Sequence, residues 1–349
     1  MANYTEIDDP TAFFQCELWT GNGSARSITL SGNSDLQPDM VWLKQRSGTE
    51  NHNLYDSIRG AGIRLIPNLN NSESTTNELT AFNSDGFSLA DGDEVNKSSS
   101  TYVAWNWKAG TSFTNDASST SIGSIDSAGS FNNTCGFSIV SWTGTGSAGT
   151  IKHGLNSTPK MIIVKNRGAG ELWLVYHKSL GATKFLRLAG SEAVQTLTST
   201  FNDTEPTSSV FTVGSNEASN RNGYNMIAYC FAEKQGFSKF GSYTGNANAD
   251  GPYIHLGFKP AFLVIKQSSS ERNWIMMDNK RSPFNIVTKY MKGNSDSAEE
   301  TYNYVDFLST GFKCRDSDTG ANASGGTYIY YAFAENPFVT STGVSGLAR

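Results

Sequence analysis

Charge is scarce in this 349-residue chain. Asp, Glu, Lys and Arg make up 17% of it, against about 25% in ordinary globular proteins. The net charge is −5 and the basic residues form no run, which excludes the clustered positive charge that displaces counterions from nucleic acid. Long apolar stretches are also missing. No segment approaches the ~18 uninterrupted apolar residues of a membrane span, and Met1-Ala2-Asn3-Tyr4-Thr5-Glu6 lacks the basic start and apolar run of a signal peptide. The expectation is a soluble protein made in a cytoplasm, without membrane insertion. Cys16, Cys135, Cys230 and Cys314 lie far apart with no Cys-x-x-Cys pair, and the chain has four His. A structural zinc site is therefore not expected, and the thiols read as buried and free. A phosphate-cradling loop is absent too, since Gly21-Asn22-Gly23 is followed by no Lys and no helix pattern. Long helical periods are equally lacking; the best candidate, residues 191–200, is short and rich in β-branched residues.

Small polar residues fill the gap. The chain has 44 Ser, 32 Thr, 31 Asn and 34 Gly, together roughly 40% of it, and these favour turns and strand edges over helix interiors. Aromatic residues stand at 12%, more apolar anchor area than an unfolded chain carries.

Three copies of one unit are legible. The chain reads Pro38-Asp39-Met40-Val41-Trp42-Leu43-Lys44, then Pro159-Lys160-Met161-Ile162-Ile163-Val164-Lys165, then Pro260-Ala261-Phe262-Leu263-Val264-Ile265-Lys266. Each Lys follows its Pro by six residues. Upstream lie Trp19-Thr20-Gly21, Trp142-Thr143-Gly144 and Tyr243-Thr244-Gly245. Twelve residues after each Lys come Asp56, His177 and Asp278, and each unit closes on an aromatic run at 102–107, 226–233 or 328–335. Such self-similarity sets the fold before any motif does.

The boundaries expected are an N-terminal arm at 1–11, units at 12–109, 135–234 and 235–337, and a C-terminal tail at 338–349. Residues 110–134, mostly Ser, Thr, Asn, Asp and Gly, read as a flexible linker or a loosely packed hairpin. Units two and three, with almost nothing between Glu233 and Gly236, should be rigidly joined. Within a unit, short apolar and aromatic runs alternate with turn signals such as Asn22-Gly23, Asp85-Gly86 and Asn222-Gly223. The fold class expected is all-β, as three tandem antiparallel sandwiches of jelly-roll, concanavalin-like type.

The repeat also weighs the candidate sites. A glycosidase needs two facing carboxylates, yet each unit offers one at most, and the second has His177 there. Asp56 and Asp278 therefore read as carboxylates that hold a turn or pair with Arg59 or Arg281. Lys44, Lys165 and Lys266 could hold an anionic sugar or phosphate. The preferred reading is a strand-end Lys whose stem covers apolar surface while its ammonium stays wet or meets the Asp/His position. Trp19, Trp142 and Tyr243 join this set of repeat-equivalent, structural positions. His52 stands alone; His153 and His255 share a position and suggest turn stabilisation. The acidic segments 85–94 and 316–318 could offer oxygens to calcium but lack a defined ligand spacing. No catalytic residue, metal or cofactor is expected.

Ile7-Asp8-Asp9-Pro10, Phe13-Phe14, Leu18-Trp19-Thr20-Gly21-Asn22-Gly23, the Pro-to-Lys strands, Asp85-Gly86-Phe87-Ser88 and Asn336-Pro337-Phe338-Val339-Thr340-Ser341-Thr342-Gly343 together carry a likeness. The chain resembles structural proteins of tailed phages, especially marine cyanophages and pelagiphages, which are labelled tail-fibre-like or virion structural and carry this domain in tandem. The resemblance implies a virion component, assembled in the host cytoplasm, with sandwich domains of the concanavalin-like group. It implies no ligand residues. The leading expectation is a non-enzymatic tail-fibre, receptor-binding or appendage subunit. Its partners would be other virion proteins of tail or capsid, further copies of itself, with a trimer among the options, and a host surface glycan. The alternatives are a capsid decoration protein docking through its N-terminal arm and, less favoured, a polysaccharide-degrading enzyme.

Overall fold

The computed structural model describes residues 4–317 and 320–346. It is nearly all β, built from antiparallel sheets. Each unit holds the same four strands in the same spatial order: an opening strand, the closing strand, the lysine strand and a strand ending at the Asp/His position. In unit one these are Phe14–Thr20, Thr101–Trp107, Met40–Gln45 and Asn53–Asp56. In unit two they are Phe137–Thr143, Asn225–Ala232, Pro159–Asn166 and Leu174–His177, and in unit three Ser238–Thr244, Thr327–Pro337, Phe258–Gln267 and Trp274–Asp278.

The lysine strands read as unbroken apolar runs because both of their faces are covered. Side chains alternate across a strand. Met40 and Trp42 therefore enter a core shared by all three units, while Val41 and Leu43 enter unit one's own core. Met161 and Ile163 point to the shared core and Ile162 and Val164 to unit two's; Phe262 and Val264 against Leu263 and Ile265 repeat this in unit three. The closing strands do the same. Their Trp107, Phe231 and Phe333, equivalent in the three units, meet one another with ring centroids 5.7 to 6.4 Å apart. The units thus surround a pseudo-threefold axis filled with aromatic rings. Burying each such ring contributes about 1.5–3 kcal/mol, and the shared core exists only when all three units are present.

Two expectations are refined. Of the two readings of residues 110–134, the structure shows the hairpin and not the flexible linker. Strands Thr111–Asn115 and Ser127–Asn132 pair with each other, and the second pairs with the opening strand of unit two. This extends that unit's sheet to eight strands. Between them a four-residue helix is capped by Asp116, which accepts from the N–H groups of Ser118 and Ser119. The sandwich-type units are not built alike. Unit one has a four-stranded sheet over a three-stranded one, whereas in unit three one continuous sheet of eight strands curls over its own core. The residue 191–200 segment contributes a two-stranded pairing at Gln195–Thr196 and only the start of a short helix, Thr198–Phe201. All four cysteines are buried and free. Among the described residues no helix is long and apolar enough to cross a membrane.

Candidate functional site

The structure brings the repeated polar residues to the three boundaries between units. At each boundary the strand ending in Asp56, His177 or Asp278 faces the closing strand of the next unit. Asp56 accepts a hydrogen bond from the Tyr229 hydroxyl at 2.6 Å, and Asp278 accepts one from the Trp105 indole N–H at 3.1 Å. His177 reverses the polarity: its Nε2–H donates to the backbone oxygen of Tyr330 at 3.2 Å. Unit one thus meets unit two, two meets three, and three meets one, closing the ring.

Each of these residues also shapes its own turn. Asp56 Oδ1 accepts from the N–H groups of Ile58 and Arg59, and Asp278 Oδ1 from that of Arg281. Both carboxylates form ion pairs at 2.6 Å with the arginine three residues on, and all four side chains are wholly buried. A buried carboxylate needs such a partner. In unit two residue 180 is Leu, so a charge there would stand alone, and the neutral His177 accepts from Ser179 N–H through Nδ1 instead. Burial pushes its pKa down to about 4.

The lysine expectation is corrected. The ammonium groups neither stay wet nor meet the Asp/His position. In the antiparallel hairpin Asp56 sits opposite Met40, His177 opposite Met161 and Asp278 opposite Phe262. Each Lys lies four residues further along, about 13 Å away. All three lysines are buried and donate to backbone carbonyls. Lys44 Nζ donates to Gln45 and Gly48, Lys165 to Ala169, Glu171 and, in unit one, Asn70. Lys266 donates to Gln267 and, in unit two, Ser191. Burial lowers each ammonium to about 8.

Further repeated contacts, not singled out in the sequence, seal the same boundaries. Eight residues after each Lys stands a ring N–H. His52 donates through Nε2 to Lys292 O of unit three, Trp173 to Ile66 and Leu69 of unit one, and Trp274 to Arg187 of unit two. Arg46 grips Glu299 and Arg167 grips Glu73 with two hydrogen bonds each; at the third boundary Ser268 and Val194 hold these places and keep only the backbone bond.

Trp19, Trp142 and Tyr243 are anchors of the opening strands. Trp19 stacks on Tyr102 and Tyr243 on Tyr328, with centroids 5.3 and 5.0 Å apart, and Trp142 N–H donates to Asn220. Asn220 belongs to a trio the sequence reading missed. Asn96, Asn220 and Asn322, all fully buried, clasp the loop that leaves the opening strand. Asn96 donates to Asn22, Ser24 and Ala90; Asn220 to Thr145, Ser147 and Gly214; Asn322 to Asn246, Asn248 and Asp316. The glycine of each Thr-Gly pair is required here. A Cβ on Gly21, Gly144 or Gly245 would lie 2.1 to 2.3 Å from the carbonyl oxygen following the Asn.

Of the other histidines, His153 stabilises a turn by accepting from Leu155 N–H, but His255 is exposed beside Tyr253. Among the described residues no group of three or more His, Cys, Asp or Glu is placed to hold a metal ion; of the two acidic segments, Asp318 lies outside those residues. A cleft of about 450 Å³ opens between units one and three. Its basic groups are already engaged: Lys259 pairs with Glu335 at 2.6 Å, and Lys280 donates to Ser31.

A family model described as a domain of unknown function, DUF7483, matches residues 9–337, which takes in all three units. No curated protein matches the chain. The span of that match fits a body whose three repeats share one core, and the chain belongs to the DUF7483 family.

Proposed function

We propose that this chain is a non-enzymatic structural protein of a tailed-phage particle, exposed on its outside as a tail-fibre, receptor-binding or appendage subunit that contacts host surface glycans. The observation that carries this reading is where the repeated polar residues go. Asp56, His177, Asp278 and the three lysines, the groups best suited to acid–base or anion chemistry, are all buried; the Asp/His groups, Lys165 and Lys266 bond across unit boundaries, and Lys44 holds carbonyls of its own unit. A general acid or base must reach the atom it serves, so interior placement favours scaffolding. The likeness to tandem-domain virion proteins of tailed phages supports the same reading. A closed, low-charge β body with buried boundaries suits a particle component that meets the outside unaided.

The threefold arrangement that a homotrimer would supply is present here within one chain, so further copies would add to it rather than create it. Capsid decoration through a free N-terminal arm gains less support. Tyr4 donates to Gly257 O, Thr5 to Gln235 O, and Ile7 enters the shared core, so residues 4–7 bind the chain's own body.

Mass spectrometry and immunogold labelling of purified particles test the proposal. The chain is expected in the particle with label on the tail or its appendages. Its absence from particles overturns the proposal, and label spread over the shell transfers it to decoration. Release of oligosaccharides from host envelope glycans by the purified protein overturns the non-enzymatic part.

A further inference from the structure

The three copies differ on the exposed face of their outer sheets. In the outer sheet of each unit the inward pair recurs: Ile28 beside Phe87, Ile151 beside Phe211, and Ile254 beside Phe312, all buried. The adjoining outward pair is Ser27 with Ser88 in unit one and Thr150 with Thr212 in unit two, but Tyr253 with Lys313 in unit three. A determinant of the fold recurs in every copy, as the inward pairs do. An aromatic displayed outward in one copy does not serve the common fold, and Tyr253 is 45% exposed.

Its surroundings are polar and fixed. The Tyr253 hydroxyl lies 2.5 Å from Thr310 Oγ1 and 3.3 Å from His255 Nδ1. Lys313 forms an ion pair with Asp250. The next residue across the sheet is Asp306, whose Oδ1 is buried and whose Oδ2 meets Arg315 Nε at 3.2 Å. Strands lie about 4.8 Å apart, so Tyr253, Lys313 and Asp306 form a row about 10 Å long. Tyr253–His255 is the last strand of its sheet. The matching edge in unit two is covered, since Ile125 bridges to Ile151 and Lys152 lies over the Phe113 ring.

We propose that this row binds a neutral saccharide. The apolar C–H face of a hexose stacks on the exposed phenol ring, and its hydroxyls donate to Asp250 or to Oδ2 of Asp306 and accept from Lys313 or Arg315. Two cations and two anions sum to zero, which suits an uncharged ligand. A single exposed ring among charges offers far less contiguous apolar surface than a protein partner needs. The inference deepens the reading of the chain as a glycan-contacting surface component and rests on it.

The test uses the purified full chain and four probes, maltohexaose, cellohexaose, mannohexaose and an acidic hexamer of guluronate, followed by saturation-transfer NMR and fluorescence titration. At least one neutral hexamer is expected to bind, Tyr253→Ala to weaken it by about tenfold or more, Tyr253→Phe to retain it, and Ser27→Ala to leave it unchanged. Because these side chains are exposed, all variants should melt with the parent. No binding of any neutral hexamer, wild-type binding by Tyr253→Ala, or preference for the acidic hexamer overturns the proposal. The measurement needs no particle, so its failure leaves the virion location standing, and absence from particles leaves this result standing.

Discussion

Asp56 and Asp278 keep their charges indoors because an arginine three residues on answers each of them, whereas His177 does the same work without a charge. The same economy governs His52 and His153. In all three histidines Nδ1 accepts an N–H, from Trp42, Leu155 or Ser179, and Nε2 donates to a carbonyl oxygen. A second proton would destroy the Nδ1 bond, and burial holds the pKa values at about 3 for His52 and about 4 for the other two. The unfolded chain protonates them near 6.5. Below that pH the unfolded state takes up protons that the fold refuses, so their contribution is whole above pH 6.5 and is lost as pH falls toward 4. Three such groups give a slope of roughly 4 kcal/mol per pH unit in that window. Urea unfolding at pH 7, 6 and 5 should show this fall, and His177→Gln should reduce the slope by about a third; an unchanged slope would contradict the assignment.

At the scale of elements, the buried asparagines decide how each opening strand ends. Asn220→Ala removes an amide that donates to three acceptors and leaves Trp142 and Thr145 N–H without their acceptor. A cost of about 2–4 kcal/mol in urea unfolding is expected, with faster amide exchange confined at first to residues 144–147. A loss below about 0.5 kcal/mol would make the clasp incidental. The trio was visible in principle. Each Asn stands six residues before the closing-strand residue opposite the opening-strand aromatic, namely Tyr102, Met226 or Tyr328. Asn also marks turns, and in a chain so rich in it the pattern drowned. The lysine strands were legible because apolar runs covered on both faces are rare. What spacing hid was the hairpin: twelve residues of chain suggested that Lys44 and Asp56 meet, and the antiparallel return separates them. Over 110–134 the choice between linker and hairpin was left open for another reason. An edge strand such as Thr111–Asn115, mostly solvated, has the composition of a loop.

At the scale of the molecule, three sandwiches behave as one body. Each boundary carries the Asp/His contact and a ring N–H donated to a backbone carbonyl, while Trp107, Phe231 and Phe333 close the axis. The repeat count was readable from the chain, but the ring was not, because nothing in a repeat says whether copies line up or close. Chains of this size usually unfold in stages. Here no unit keeps its shared-core face covered once a neighbour leaves. Differential scanning calorimetry of the full chain at neutral pH tests this most directly. One transition is expected, with the calorimetric enthalpy equal to the van't Hoff enthalpy; two or three separable transitions would mean that the units stand alone and that the buried boundary contacts do not hold the molecule together.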